Sequence, residues 1–143
     1  MRPIVKISDS LSVTAQPDQQ DYAEIARLGF RTVVNNRPEG EEPGQPTLAA
    51  SAAEARRHGL AYGHIPVRMD SITKEDIAAF GTAIDQGPQP VLAHCKGGTR
   101  SYLLWALWRV TRFDDDPAKL VAEAAARGVD LRALPATLQR LGL

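Results

Sequence analysis

The chain has 143 residues, and at roughly 100–200 residues per domain this predicts a single domain over 1–143 with enough chain to bury a core. Seventeen Lys+Arg balance seventeen Asp+Glu, so the net charge is zero, which argues against nucleic-acid or anionic-membrane binding by overall charge. A hydrophobic fraction of 43% with 24% charged residues excludes a disordered chain, and a lone cysteine excludes an internal disulfide or a paired-cysteine zinc site. The opening MRPIVKISDS lacks the apolar core of a signal peptide, and no apolar run approaches the ~20 residues of a membrane span. A cytoplasmic protein is expected.

Leu11–Thr14 reads as a short strand. Asp18 reads as the N-cap of a helix with Tyr22, Ile25 and Ala26 on one face, closed by Gly29. Arg31–Asn35 is a β-branched strand, followed by a polar loop at 36–46 that holds three glutamates, three prolines and two glycines. Thr47–His58 is Ala-rich and helical and stops at Gly59; Ala61–Val67 is the next strand. Thr73 and Asp76 form a capping box ahead of a helix whose apolar face is Ile77, Phe80 and Ile84. Pro90–His94 is a continuous apolar run and predicts a central strand buried on both faces. Ser101–Arg112 predicts a helix buried on most sides. Asp116 caps a helix with Pro117 at its first position, ending near Gly128, and a last helical segment from Asp130 has to accommodate Pro135. Strands alternating with helices predict an α/β fold with a mostly parallel central sheet and helices on both faces. In such sheets ligands bind at the carboxyl ends of the strands.

One segment carries chemistry: Val91-Leu92-Ala93-His94-Cys95-Lys96-Gly97-Gly98-Thr99-Arg100-Ser101 runs strand, glycine-containing loop, helix, with the only cysteine at the strand's end. Gly97 and Gly98 let the loop curl so that successive amides point inward as an anion nest, and the following helix adds its positive end. Cys95 faces this nest and Arg100, all of which favour a thiolate, so a lowered thiol pKa is expected. Arg100 offers a planar fork to a tetrahedral oxyanion. From Gln86 to Phe113 the chain has no Asp or Glu but carries Lys96, Arg100, Arg109 and Arg112, which agrees with a local anion site.

These residues resemble the cysteine-dependent phosphatase superfamily, in particular the dual-specificity phosphatases, whose active loop opens with His-Cys and closes with Arg and a hydroxyl residue: here His94-Cys95, Arg100 and Ser101. The stretch AYGHIPVRMDSITKEDIAAFGTAID resembles their strand, acid loop and helix. LSVTAQP and GFRTVVNNRPEGEEPG resemble a narrower bacterial group, the phosphatase-like domain of β-lactamase-hydrolase-like proteins, also described as sulfur transferases. The resemblance covers roughly residues 3–112. One departure stands out: four residues (Lys96, Gly97, Gly98, Thr99) separate Cys95 from Arg100 where the phosphatases have five, and Cys-x-x-Gly-x-Arg resembles the loop of rhodaneses, which carry a sulfane sulfur.

The resemblance implies that Cys95 is the nucleophile, that Arg100 binds the equatorial oxygens, that the amides of Lys96–Ser101 (Lys96, Gly97, Gly98, Thr99, Arg100 and Ser101) complete the nest, that Ser101 assists departure of the cysteine, and that His94 orders the loop. It places an acid for the leaving oxygen in the loop after the Ala61–Val67 strand, where Asp70 stands 25 residues before Cys95. Asp76 is explained by its cap, and Asp114–Asp116 by a solvated turn and cap. Arg37 and Glu39–Glu42 read as a solvated loop that could rim the site, Trp105 and Trp108 read as core, and Gln16 and Pro17 have no assigned mechanism. No metal or cofactor is expected. The partner is a small oxyanion or phosphorylated substrate, without nucleic acid or membrane, and the resemblance implies a fusion or operon partner in sulfur metabolism. Three readings stay open: a phosphatase acting through a phosphocysteine, a sulfurtransferase or persulfide carrier on the same thiol, and a non-catalytic anion-binding module.

Overall fold

A computed structural model describes residues 1–143. Five strands, β1 (Ile4–Lys6), β2 (Leu11–Thr14), β3 (Thr32–Asn35), β4 (Ala61–His64) and β5 (Val91–His94), form one sheet in the order β1-β2-β5-β3-β4. All neighbours are parallel except β1, which pairs antiparallel with β2 along one edge. Six helices follow: α1 (Asp21–Arg27), α2 (Leu48–Arg57), α3 (Lys74–Gln86), α4 (Thr99–Phe113), α5 (Pro117–Ala126) and α6 (Ala133–Leu141).

Strand alternation assigns the two faces. Val91 and Ala93 of β5, Val34 of β3 and Leu11 and Val13 of β2 join the larger core under α3, α4, α5 and α6. Leu92 and Val33 point the other way and pack with Tyr22, Ile25 and Ala55 of α1 and α2. All four residues of β5 are buried, as a central parallel strand requires. The expected fold class is therefore present, with helices on both faces.

The expected capping box exists: Thr73 N–H donates to Asp76 and Asp76 N–H to Thr73. Asp116 caps α5 through Ala118 N–H, and Pro135 fits within the first turn of α6, where a missing N–H leaves no intrahelical bond unmade. Three local expectations differ. Asp18 is not the side-chain cap of α1; that helix starts at Asp21, whose carboxylate turns back to accept from Asp18 N–H at 2.8 Å. The strand after α2 ends at His64 rather than Val67, because beyond it the chain leaves the ladder to bond the end of β3 (Ile65 N–H to Asn35 O, Val67 N–H to Asn36 O). The edge strand β1 was not foreseen. Close packing of α3 on α4 depends on Gly81, where a Cβ would overlap the Trp108 indole.

The sheet order places the ends of β2, β5, β3 and β4 side by side: Thr14, His94, Asn35 and His64 lie in register across it. Every candidate residue of the cysteine loop leaves from this row.

Candidate active site

Cys95 follows β5 directly and is 1% exposed. Gly98 makes the turn with φ 100°, and a Cβ there would stand 3.4 Å from the Thr14 carbonyl of β2, so both conformation and neighbour call for glycine. Gly98 N–H donates to Cys95 Sγ at 2.9 Å. The sulfur thus sits at the N-terminal end of α4, whose first-turn amides have no intrahelical partners. Gly97 and Lys96 lie on the exposed side of the loop and Thr99 is half-buried at the first position of α4.

Arg100 is held from one side. Nη1 donates to Glu41 Oε2 at 2.8 Å and to the Val67 carbonyl at 3.0 Å, and Nη2 donates to Glu41 Oε1 at 2.9 Å. Of its five N–H donors these bonds leave Nε–H and one Nη2 hydrogen, the second bidentate edge of the fork, without a protein oxygen. The guanidinium pKa is raised, chiefly by the bonds to Glu41 and further by the nearness of Cys95.

Glu41, within the Glu39–Glu42 stretch expected at most to rim the site, is the carboxylate that fixes Arg100. It comes from the loop after β3, and its Oε1 also accepts from Arg37 Nε at 2.9 Å, so one carboxylate oxygen bridges two guanidiniums. The Arg100 bonds, followed by those of Arg37, hold its carboxyl down to about 2. Arg37 is 5% exposed and further reaches Gln16 Oε1 at 3.3 Å and Glu42 at 3.2 Å. Glu42 also pairs with Lys96 of the cysteine loop, which keeps its carboxyl below the ordinary range. The 36–46 loop, read as a solvated loop that could rim the site, is therefore tied to the cysteine loop and its arginine at two points. Gln16 has a place as well: its N–H donates to the Lys96 carbonyl at 3.1 Å, fastening the end of β2 to the loop.

Ser101 is fully buried and donates to Asn36 Oδ1 at 2.8 Å. Asn36, also fully buried, donates through Nδ2 to Ile65 O and through its backbone to His94 O, so it locks three strand ends together. His94 is buried with Nδ1 3.3 Å from the Cys95 carbonyl, while Nε2 has no partner. Burial pushes its pKa down to about 4, so the ring is neutral at neutral pH. Asp70 lies on an exposed turn three residues past Val67, whose carbonyl touches Arg100; its side chain makes no hydrogen bond or ion pair. The structure thus brings Cys95, Gly98, Arg100, Ser101 and His94 together, while Asp70 stands on an exposed turn outside these contacts. Asp76 stays in its cap, and Trp105 and Trp108 pack at the core's margin, as expected. No three of the chain's His, Cys, Asp and Glu side chains gather as metal ligands would, and no helix is long and apolar enough to cross a membrane.

A parallel sheet whose central strand ends in a cysteine, followed by a glycine turn and an arginine on the next helix, has the architecture of the cysteine-dependent phosphatase fold. Comparison with known proteins narrows this. Residues 4–111 match the family described as "Beta-lactamase hydrolase-like protein, phosphatase-like domain", and the chain belongs to that family. A β-lactamase hydrolase-like protein of Xylella fastidiosa is 42% identical over 137 residues, which is 96% of this chain but 32% of the relative. One from Agrobacterium fabrum is 42% identical over 103 residues, covering 72% of this chain and 24% of the relative. The chain thus spans a third or less of these curated relatives. Among solved structures, a candidate phosphatase from Neisseria meningitidis is 33% identical, covers 96% of both chains and superposes with a TM-score of 0.86.

Proposed function

We propose that this domain hydrolyses phosphate monoesters through a phosphocysteine at Cys95. The observation that supports it best is the juxtaposition of Cys95 Sγ, hydrogen-bonded at the head of α4, with an arginine whose Nε–Nη2 edge meets no protein oxygen while its other edge is clamped. In this reading Sγ attacks phosphorus and the P–O bond to the alcohol breaks. The amides of Lys96, Gly97 and Thr99 and the open edge of Arg100 take the equatorial oxygens, whose charge grows in the transition state, while Gly98 N–H stays on Sγ. Asp70 gives its proton to the leaving oxygen. Water then cleaves the S–P bond, its proton returning to the Asp70 carboxylate, phosphate leaves, and the Ser101 hydroxyl turns from Asn36 Oδ1 to stabilise the departing thiolate. His94, buried and neutral, orders the loop and moves no proton. The relatives' family and the Neisseria structure's description support a phosphatase in general terms.

The four-residue interval between Cys95 and Arg100 favours a second reading, a persulfide carrier in which Cys95 accepts a sulfane sulfur and passes it to a thiol or cyanide. Turnover of an aryl phosphate, lost in Cys95→Ser, supports the first reading. Transfer from thiosulfate without phosphate release supports the second.

A further inference from the structure

Beside the cysteine loop lies a cavity of about 270 Å³ that no part of the proposed chemistry uses. Its wall gathers the cations Arg2, Arg37 and Lys96 with one carboxylate, Glu42, beside the turn from Pro43 to Pro46. Lys96 is the residue next to Cys95, so the cavity and the nest share a wall. Arg37 joins them from behind. Its Nε bonds the carboxylate that clamps Arg100, and its Nη atoms turn to Gln16 and Glu42 in the cavity wall.

Burying a guanidinium to 5% exposure is unfavourable unless anionic or polar partners satisfy it. Here the partners include Glu42, a 44%-exposed side chain on a loop, which pairs with Lys96 as well. A carboxylate so exposed is easily displaced, because ion pairs in water are weak. Displacing it leaves Lys96 and Arg2, with Arg37 still bonded to Glu41 through Nε but its Nη2 freed, around a void large enough for a phosphate or carboxylate group.

We propose that this cavity is a second anion subsite, and that the substrate is a small molecule with two anionic groups, one reacting at Cys95 and the other seated among Arg2, Arg37 and Lys96. Glu42 occupies the subsite when it is empty of ligand. The inference rests on the oxyanion site proposed at Cys95 and adds to it the class of molecule the site accepts. It also accounts for the pairing of two glutamates with two different tasks. Glu41 lies on the clamped edge of Arg100 and is part of the support; Glu42 lies in the open cavity and yields.

Non-hydrolysable phosphonates test this without reference to turnover. Titration calorimetry would compare methylphosphonate, which has one anionic group, with phosphonoacetate and methylenediphosphonate, which have two. A charge-assisted second contact predicts that at least one bis-anion binds the protein about tenfold tighter than methylphosphonate. The better of the two identifies whether the second group is a carboxylate or a phosphonate. Glu42→Gln should widen that ratio severalfold, and Arg2→Gln should narrow it; both side chains are exposed, so folding is preserved. A ratio near one in the unmodified protein, or a ratio that neither substitution moves, overturns the inference while leaving the Cys95 site intact. If methylphosphonate and both bis-anions all fail to bind, the oxyanion site itself is refuted and the subsite with it.

Discussion

Glu41→Gln removes the charge that clamps Arg100 while keeping side-chain size. Glu41 accepts both Nη donors of Arg100 and the Nε donor of Arg37. Lowering its carboxyl from an ordinary 4.5 to about 2 corresponds to at most about 3 kcal/mol of favourable interaction. The side chain is 24% exposed, so solvent screening reduces this to about 1–2 kcal/mol. At this chain length the variant should melt roughly 3–6 °C lower near neutral pH. The sign with pH follows from a depressed acid. The stabilisation is fully present above about 4.5 and fades as pH falls toward 2, so wild type and variant should converge in acid. Freed of its clamp, Arg100 loses its fixed presentation to the nest. Phosphate affinity, measured by calorimetry, should therefore fall about tenfold, more than the melting shift alone would suggest. Unchanged or tighter phosphate binding would refute the reasoning, because Glu41 would then be an occupant of the site rather than its support.

Asp70→Asn should slow aryl phosphate hydrolysis most for poor leaving groups and little for good ones; equal rates across a leaving-group series contradict its role as acid. His94 is buried with its pKa pushed down to about 4, so between pH 6.5 and 4 the unfolded chain binds a proton that the folded chain excludes. Stability should drop by roughly 3 kcal/mol across that window as pH falls, and urea melts of His94→Asn should lack this part of the slope. Gly81→Ala should cost about 1–3 kcal/mol by driving a methyl into the Trp108 ring, and a neutral melt would mean that the indole swings away freely.

What could be read from the sequence was what short-range signals encode. β5 showed as a continuous apolar run, the turn at Gly97-Gly98 as a glycine pair, and α3 as a capping box, and each is local to a few residues. The strand β1 was missed because three residues, Ile4–Lys6, give too short a pattern; its place comes from pairing with β2. Asp18 looked like a cap by type, yet the carboxylate of Asp21 serves that turn instead. The greater omission was the 36–46 loop. Its glutamates and prolines have the composition of any solvated loop, and Glu41 and Arg100 lie 59 residues apart in the chain. Only the order of β3 beside β5 brings that loop against the cysteine loop, and pairing order is a tertiary property. Asn36 escaped notice for the same reason, since its partners come from the segment after β4, from β5 and from α4.

The direct test of the account is the mass of the intact protein, rapidly quenched during turnover of an aryl phosphate and, separately, after incubation with thiosulfate. Attack by Cys95 on phosphorus predicts an adduct of about 80 Da in the first experiment, absent from Cys95→Ser, and no adduct in the second. A gain of about 32 Da from thiosulfate, with no phosphate adduct and no phosphate released, would contradict the account and identify Cys95 as a sulfur carrier.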